Sequence, residues 1–71
     1  MLNLNSNKID SLEGIENLKC LVSLHLSHNL IDSMKQMPYL AELKELDLSK
    51  NRITRVEMIS NLPALEDLDL S

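Results

Sequence analysis

The chain has 71 residues, 44% of them hydrophobic, with one Tyr, no Phe and no Trp. That length holds one small domain, and the apolar content is too high for wholesale disorder. Seven Lys and Arg stand against eleven Asp and Glu, a net charge of -4, which excludes nonspecific nucleic-acid binding through clustered cations.

In chain order, the first element is a short strand. Leu2-Asn3-Leu4 alternates apolar and polar residues, so both leucines share one face. A turn follows at Asn7. Ile9, Leu12, Ile15, Leu18 and Leu21 then trace a return at steps of three. A strict three-step drifts off an α-helical stripe, which needs mixed threes and fours. It suits 3₁₀ turns, whose i and i+3 side chains eclipse. The second strand is Leu24-His25-Leu26, with Asn29 and Ile31 after it and a return through Met34, Met37, Leu40 and Leu43. The third is Leu46-Asp47-Leu48, with Asn51, Ile53, Val56, Ile59, Leu62 and Leu65. Leu68-Asp69-Leu70-Ser71 opens a fourth. Pro38 and Pro63 in the returns disfavour long helices. The step is 22 residues each time, so residues 1–71 read as a single array with repeat cores at 2–23, 24–45, 46–67 and 68–71.

One such unit cannot bury its leucines, whereas stacked units can, each covering the apolar edge of the next. The Asn7, Asn29 and Asn51 column has a matching role. A side-chain amide has two donors and an acceptor, enough to satisfy backbone groups where the chain leaves each strand. Unpaired, those buried groups would cost roughly 1–3 kcal/mol each.

The pattern Leu21-x-x-Leu24-x-Leu26-x-x-Asn29-x-Ile31, repeated as Leu43-x-x-Leu46-x-Leu48-x-x-Asn51-x-Ile53, resembles the leucine-rich-repeat family. It is most similar to the 22-residue subfamily typified by a regulatory subunit of protein phosphatase 1. The resemblance implies an α/β repeat fold. It would be a right-handed solenoid, with short parallel strands on the concave face and 3₁₀ or short helical turns on the convex face. It also implies a noncatalytic scaffold for protein–protein interaction. The settings it suggests are phosphatase regulation and cytoskeletal, ciliary or centrosomal assembly. Fold alone does not fix function, so the partner must be argued from the site. Both ends stop inside a repeat without a polar cap, so a longer array, or end-to-end self-association through the terminal repeats, is expected.

The concave columns carry the candidate site. His25, Ser27, His28, Glu45, Asp47, Lys50, Glu66, Asp67 and Asp69 are expected to form it, with the acid gathered toward the C-terminal side. An acidic curved face suits a protein partner with a basic segment, with charge steering association and register. A face that merely keeps the protein soluble is the plainer reading.

Two sharper readings are weaker. His25, His28 and Asp47 contain ligand types for a metal, but residues three apart on a strand point to opposite faces, so ordinary surface histidines are the expectation. Ser27, His25 and Asp47 form a hydrolytic trio only on paper, because no oxyanion hole accompanies them. One glycine, Gly14, cannot build a phosphate-cradling loop, so no cofactor, metal or enzymatic activity is expected.

Cys20 is expected to pack at a buried edge, and being single it makes no internal disulfide. Met34, Met37 and Met58 either fill gaps or form an adaptable patch with Tyr39. No apolar run approaches the roughly 18–20 residues of a membrane span. Met1-Leu2-Asn3-Leu4 lacks the basic and long apolar regions of a signal peptide. A reduced intracellular setting, cytoplasmic or cytoskeletal, is therefore expected.

Overall fold

The computed structural model describes all of residues 1–71. Four short strands, β1 (Leu2–Asn3), β2 (Ser23–His25), β3 (Glu45–Asp47) and β4 (Asp67–Asp69), pair in parallel as one sheet in chain order. Their register holds the 22-residue step: Leu2 lies opposite Leu24, Leu24 opposite Leu46, and Leu46 opposite Leu68. The chain is thus a solenoid of stacked coils.

The core follows from that stacking. Leu24, Leu26, Leu40 and Leu43 are fully buried between neighbouring coils. Their counterparts in the outer coils, Leu2, Leu4, Leu68 and Leu70, are only partly buried against the same cluster. A fully buried leucine contributes about 1.5–3 kcal/mol, so the middle coils hold the most hydrophobic stabilisation. Met34 and Met37 lie inside this core. They fill gaps, and the patch reading fails for them; Met58 is the exposed one.

The asparagine column carries the polar interior. Asn29 is 4% exposed. Its Nδ2 donates to the carbonyls of Leu4, Leu26 and Ser27 at 2.9–3.2 Å. Its Oδ1 accepts from the N–H groups of Asn7 and Ile9 at 2.8 and 2.9 Å. Asn51 repeats the device one coil on, donating to Leu26, Leu48 and Ser49 and accepting from Ile31. Asn7 stands at the open end, where its Nδ2 reaches only the Asn5 carbonyl. No buried side-chain polar atom lacks a partner.

The returns are 3₁₀ turns at Ile15–Asn17 and Ile59–Asn61. Each follows a residue in the left-handed region, Gly14 (φ 94°) and Met58 (φ 61°). The middle return differs. The Leu40 N–H donates to the carbonyl of Asn61, and the Asn61 Nδ2 donates to the Met37 carbonyl. Those groups are spent on the next coil, so no bond joins the Leu40 N–H to the Met37 carbonyl, and the single turn from Met34 to Met37 is not extended into a 3₁₀ helix. Asn61 is therefore a second interlocking asparagine, on the opposite side of the solenoid from Asn29 and Asn51.

Cys20 corrects an expectation: it is exposed. The apolar stripe runs Leu18, Leu21, Leu24, and Cys20 falls between those positions, in the column that holds Glu42 in the next coil.

Asn29→Leu should destabilise by roughly 2–5 kcal/mol, because it orphans several buried backbone groups at once. The exposed Asn17 should tolerate Ala with little change. Equal urea midpoints for the two variants would contradict the ladder. Gly14→Ala should cost about 1 kcal/mol from the left-handed backbone alone, since no atom lies within 4 Å of a Cβ there. Met58→Gly should not destabilise. Denaturation of both variants checks the pair.

Candidate functional site

Alternation along the strands sends Leu24, Leu46 and Leu68 into the core and leaves the residues on either side of each to the opposite, concave face. Register then aligns Ser23 with Glu45 and Asp67, and His25 with Asp47 and Asp69. The result is a shallow groove of about 390 Å³ lined by His25, Glu45, Asp47, Asp67 and Asp69, with Leu46 and Leu68 behind them. Four carboxylates sit on two adjacent strands, where like charges directly opposite repel. The only ion pair within 4.0 Å is His25 Nδ1 to Asp47 Oδ2 at 3.9 Å.

Local hydrogen bonds fix these carboxylates. Asp47 Oδ1 accepts from the Ser49 N–H at 3.0 Å and the Ser49 hydroxyl at 2.7 Å. Asp69 repeats both bonds with Ser71 at the same distances. Each serine engages Oδ1 of the aspartate; Oδ2 of Asp47 is the oxygen that faces His25. The backbone bond from Ser71, then its hydroxyl, holds the Asp69 carboxyl below its ordinary value of 3.8, with Lys50 adding a smaller pull. In the first coil Asn3 plays the same local role, its Oδ1 accepting from the Asn5 N–H.

His25 interrupts this column. An imidazole cannot make that tight bond two residues ahead, and the Ser27 N–H turns instead to Asn5 Oδ1 at 2.7 Å. The ring lies across the groove wall, with Nε2 3.2 Å from the Ser23 hydroxyl. Ser23 in turn donates to Glu45 Oε1 at 3.0 Å. The Ser23 proton therefore belongs to Glu45, and Nε2 serves as the donor to Ser23. A histidine in that state does not activate the serine as a nucleophile.

Of the nine residues expected on this face, the five named above line the groove. Ser27 is buried, with its hydroxyl 3.5 Å from His28 Nδ1. His28 and Lys50 occupy left-handed turns just past the strands, at φ 57° and 58°, and stand at the rim. Glu66 precedes β4 by one residue and is exposed outside the groove. The paper trio of Ser27, His25 and Asp47 is not assembled, because the serine beside the imidazole is Ser23. His28 Nδ1 lies against the Ser27 hydroxyl, and no grouping of three or more metal-ligand side chains occurs.

The columns of the sequence put Ser23 on the concave face but outside the expected site, and they passed over Asn61. Ser23 was visible as the one hydroxyl in a column that continues as Glu45 and Asp67. Asn61 was visible through Asn17, which holds the same column two coils earlier.

A family model described as leucine rich repeats, in two copies, matches residues 1–38 and 41–71. No curated protein matches the chain, and no solved structure matches it.

Since Asp69 is held in its charged form, its contribution to stability is present above the ordinary value of 3.8 and is lost as pH falls through its lower folded value. NMR titration should show the depressed value. Ser71→Ala should raise it only part of the way, because the larger backbone bond survives. An unmoved titration would sink the assignment.

Proposed function

Since this chain belongs to the leucine-rich-repeat family, we propose that it is a noncatalytic protein-interaction module whose concave groove docks a basic segment of a protein partner. The observation that carries this reading is the excess acid of β3 and β4: Glu45, Asp47, Asp67 and Asp69 line one groove, with His25 beside Asp47 and Lys50 acting on Asp69 as the nearby positive groups. A cationic segment would relieve the repulsion between these carboxylates. The ladder-held backbone presents this surface preformed, so little ordering entropy opposes binding. Charge would set the association rate and the direction in which the segment lies.

The unbroken 22-residue step supports placement in the subfamily typified by the phosphatase regulatory subunit. With it comes an intracellular setting, cytoplasmic or cytoskeletal, with ciliary and centrosomal assemblies included. A second reading, a structural stretch that associates end to end within such an assembly, draws on the half-exposed Leu2, Leu4, Leu68 and Leu70 of the outer coils.

An arginine-rich peptide should bind with an affinity that falls as salt rises. Simultaneous Asp47→Lys, Asp67→Lys and Asp69→Lys should abolish binding, as read by fluorescence anisotropy. Unchanged binding by that variant would move the site elsewhere. Sedimentation that grows heavier with concentration, and that is lost in Leu70→Asp, would favour the second reading.

A further inference from the structure

We propose that Thr54 is a phosphoacceptor for a serine/threonine kinase that selects arginine beside its target. The proposal is independent of the concave groove, because Thr54 lies on the loop that descends from the third strand, past Asn51.

Three observations single it out. The first is availability. Thr54, Arg55 and Val56 form an exposed run with no helix or strand, so the hydroxyl is open to an enzyme, while the Arg52 N–H stays bonded to the Ile31 carbonyl. The second is the state of the hydroxyl. Ser11, Ser23, Ser49 and Ser71 donate theirs to neighbouring oxygens, Ser33 accepts from the Lys35 N–H, and Ser27 contacts His28. The Thr54 hydroxyl has no such partner. The third is the flanking charge. Arg52 and Arg55 bracket Thr54, with Lys50 further upstream. Ser6 and Ser60, whose hydroxyls are also unengaged, have no arginine adjacent in sequence.

The surroundings of the product are of mixed charge. Thr54 shares a recess of about 240 Å³ with Lys35 of the preceding coil, Arg55, Asp32 and Glu57. Neither Lys35 nor Arg55 is ion-paired, because the chain's one ion pair is His25–Asp47. A phosphate there meets two cations, Lys35 and Arg55, and two carboxylates, Asp32 and Glu57, so charge-assisted bonds to the cations must outweigh repulsion from the carboxylates. The same column holds Asp10 and Asp32 in the first and second coils, so the phosphate would stand in register with Asp32 and depend on Lys35 and Arg55 to offset it. In the transfer, Thr54 Oγ1 forms a bond to the γ-phosphorus of magnesium-bound ATP. The bond from that phosphorus to the β–γ bridging oxygen breaks, ADP leaves, and the hydroxyl proton passes to the base of the kinase.

The test incubates the whole chain, and separately a peptide of residues 50–58, with an arginine-directed kinase and ATP, and locates phosphate by mass spectrometry. The expected result is one phosphate on Thr54 in both, lost in Thr54→Ala and strongly reduced in the double variant Arg52→Ala, Arg55→Ala. Labelling of the peptide but not the folded chain would overturn the proposal, since the loop would then be closed to the enzyme. So would label on another hydroxyl that survives Thr54→Ala, or no label on either substrate.

Discussion

Everything in this molecule depends on the side-chain amide of Asn29. It sits at the point where the backbone leaves the sheet and turns, where regular pairing ends and water is already excluded. Its two kinds of atom bind both the coil before and its own coil, so one residue ties a turn and an inter-coil contact together. Without that bond set the leucines would still prefer burial, but the strand exits would carry orphaned carbonyls and N–H groups. Asn51 transmits the arrangement to the next coil. Asn61 does comparable work on the far side through Met37 and Leu40.

The functional surface inherits its precision from this interior. Strand register decides which side chains become neighbours, and register here is set by identical leucine slots and amide locks. That is why Glu45 lies beside Asp67 and Asp47 beside Asp69, although like charges disfavour both pairings. The buried face overrules the exposed one. The groove is acidic because the core places those positions together, and the Ser49 and Ser71 bonds then hold one oxygen of each aspartate.

The fold was legible in the chain because repetition turns a weak local signal into a strong one. A single Leu-x-Leu pair is ambiguous, whereas four copies in phase are not. The site was less legible. Columns told which residues share a face, but not where the strand ends, and His28, Lys50 and Glu66 fall just beyond those limits. Left-handed backbone at His28 and Lys50 is a property of the turn that residue type did not disclose. Cys20 was misplaced because an apolar-leaning side chain next to a leucine suggests burial, while the three-step stripe passes it by. Ser23 was hidden by its size, its part being visible only once Glu45 and His25 are seen on either side of it.

The ladder bonds that join one coil to the next span 20 to 25 residues of chain. Loop-closure entropy depends on that separation and not on how many coils are present. Each added coil therefore meets the same closure cost and the same reward, and the average contact range stays fixed as an array of this kind lengthens. Topological complexity, which slows the folding of most parallel-sheet proteins, does not accumulate here. Folding would advance like a zipper of constant step, begun at the well-covered middle coils and extended outward one amide lock at a time.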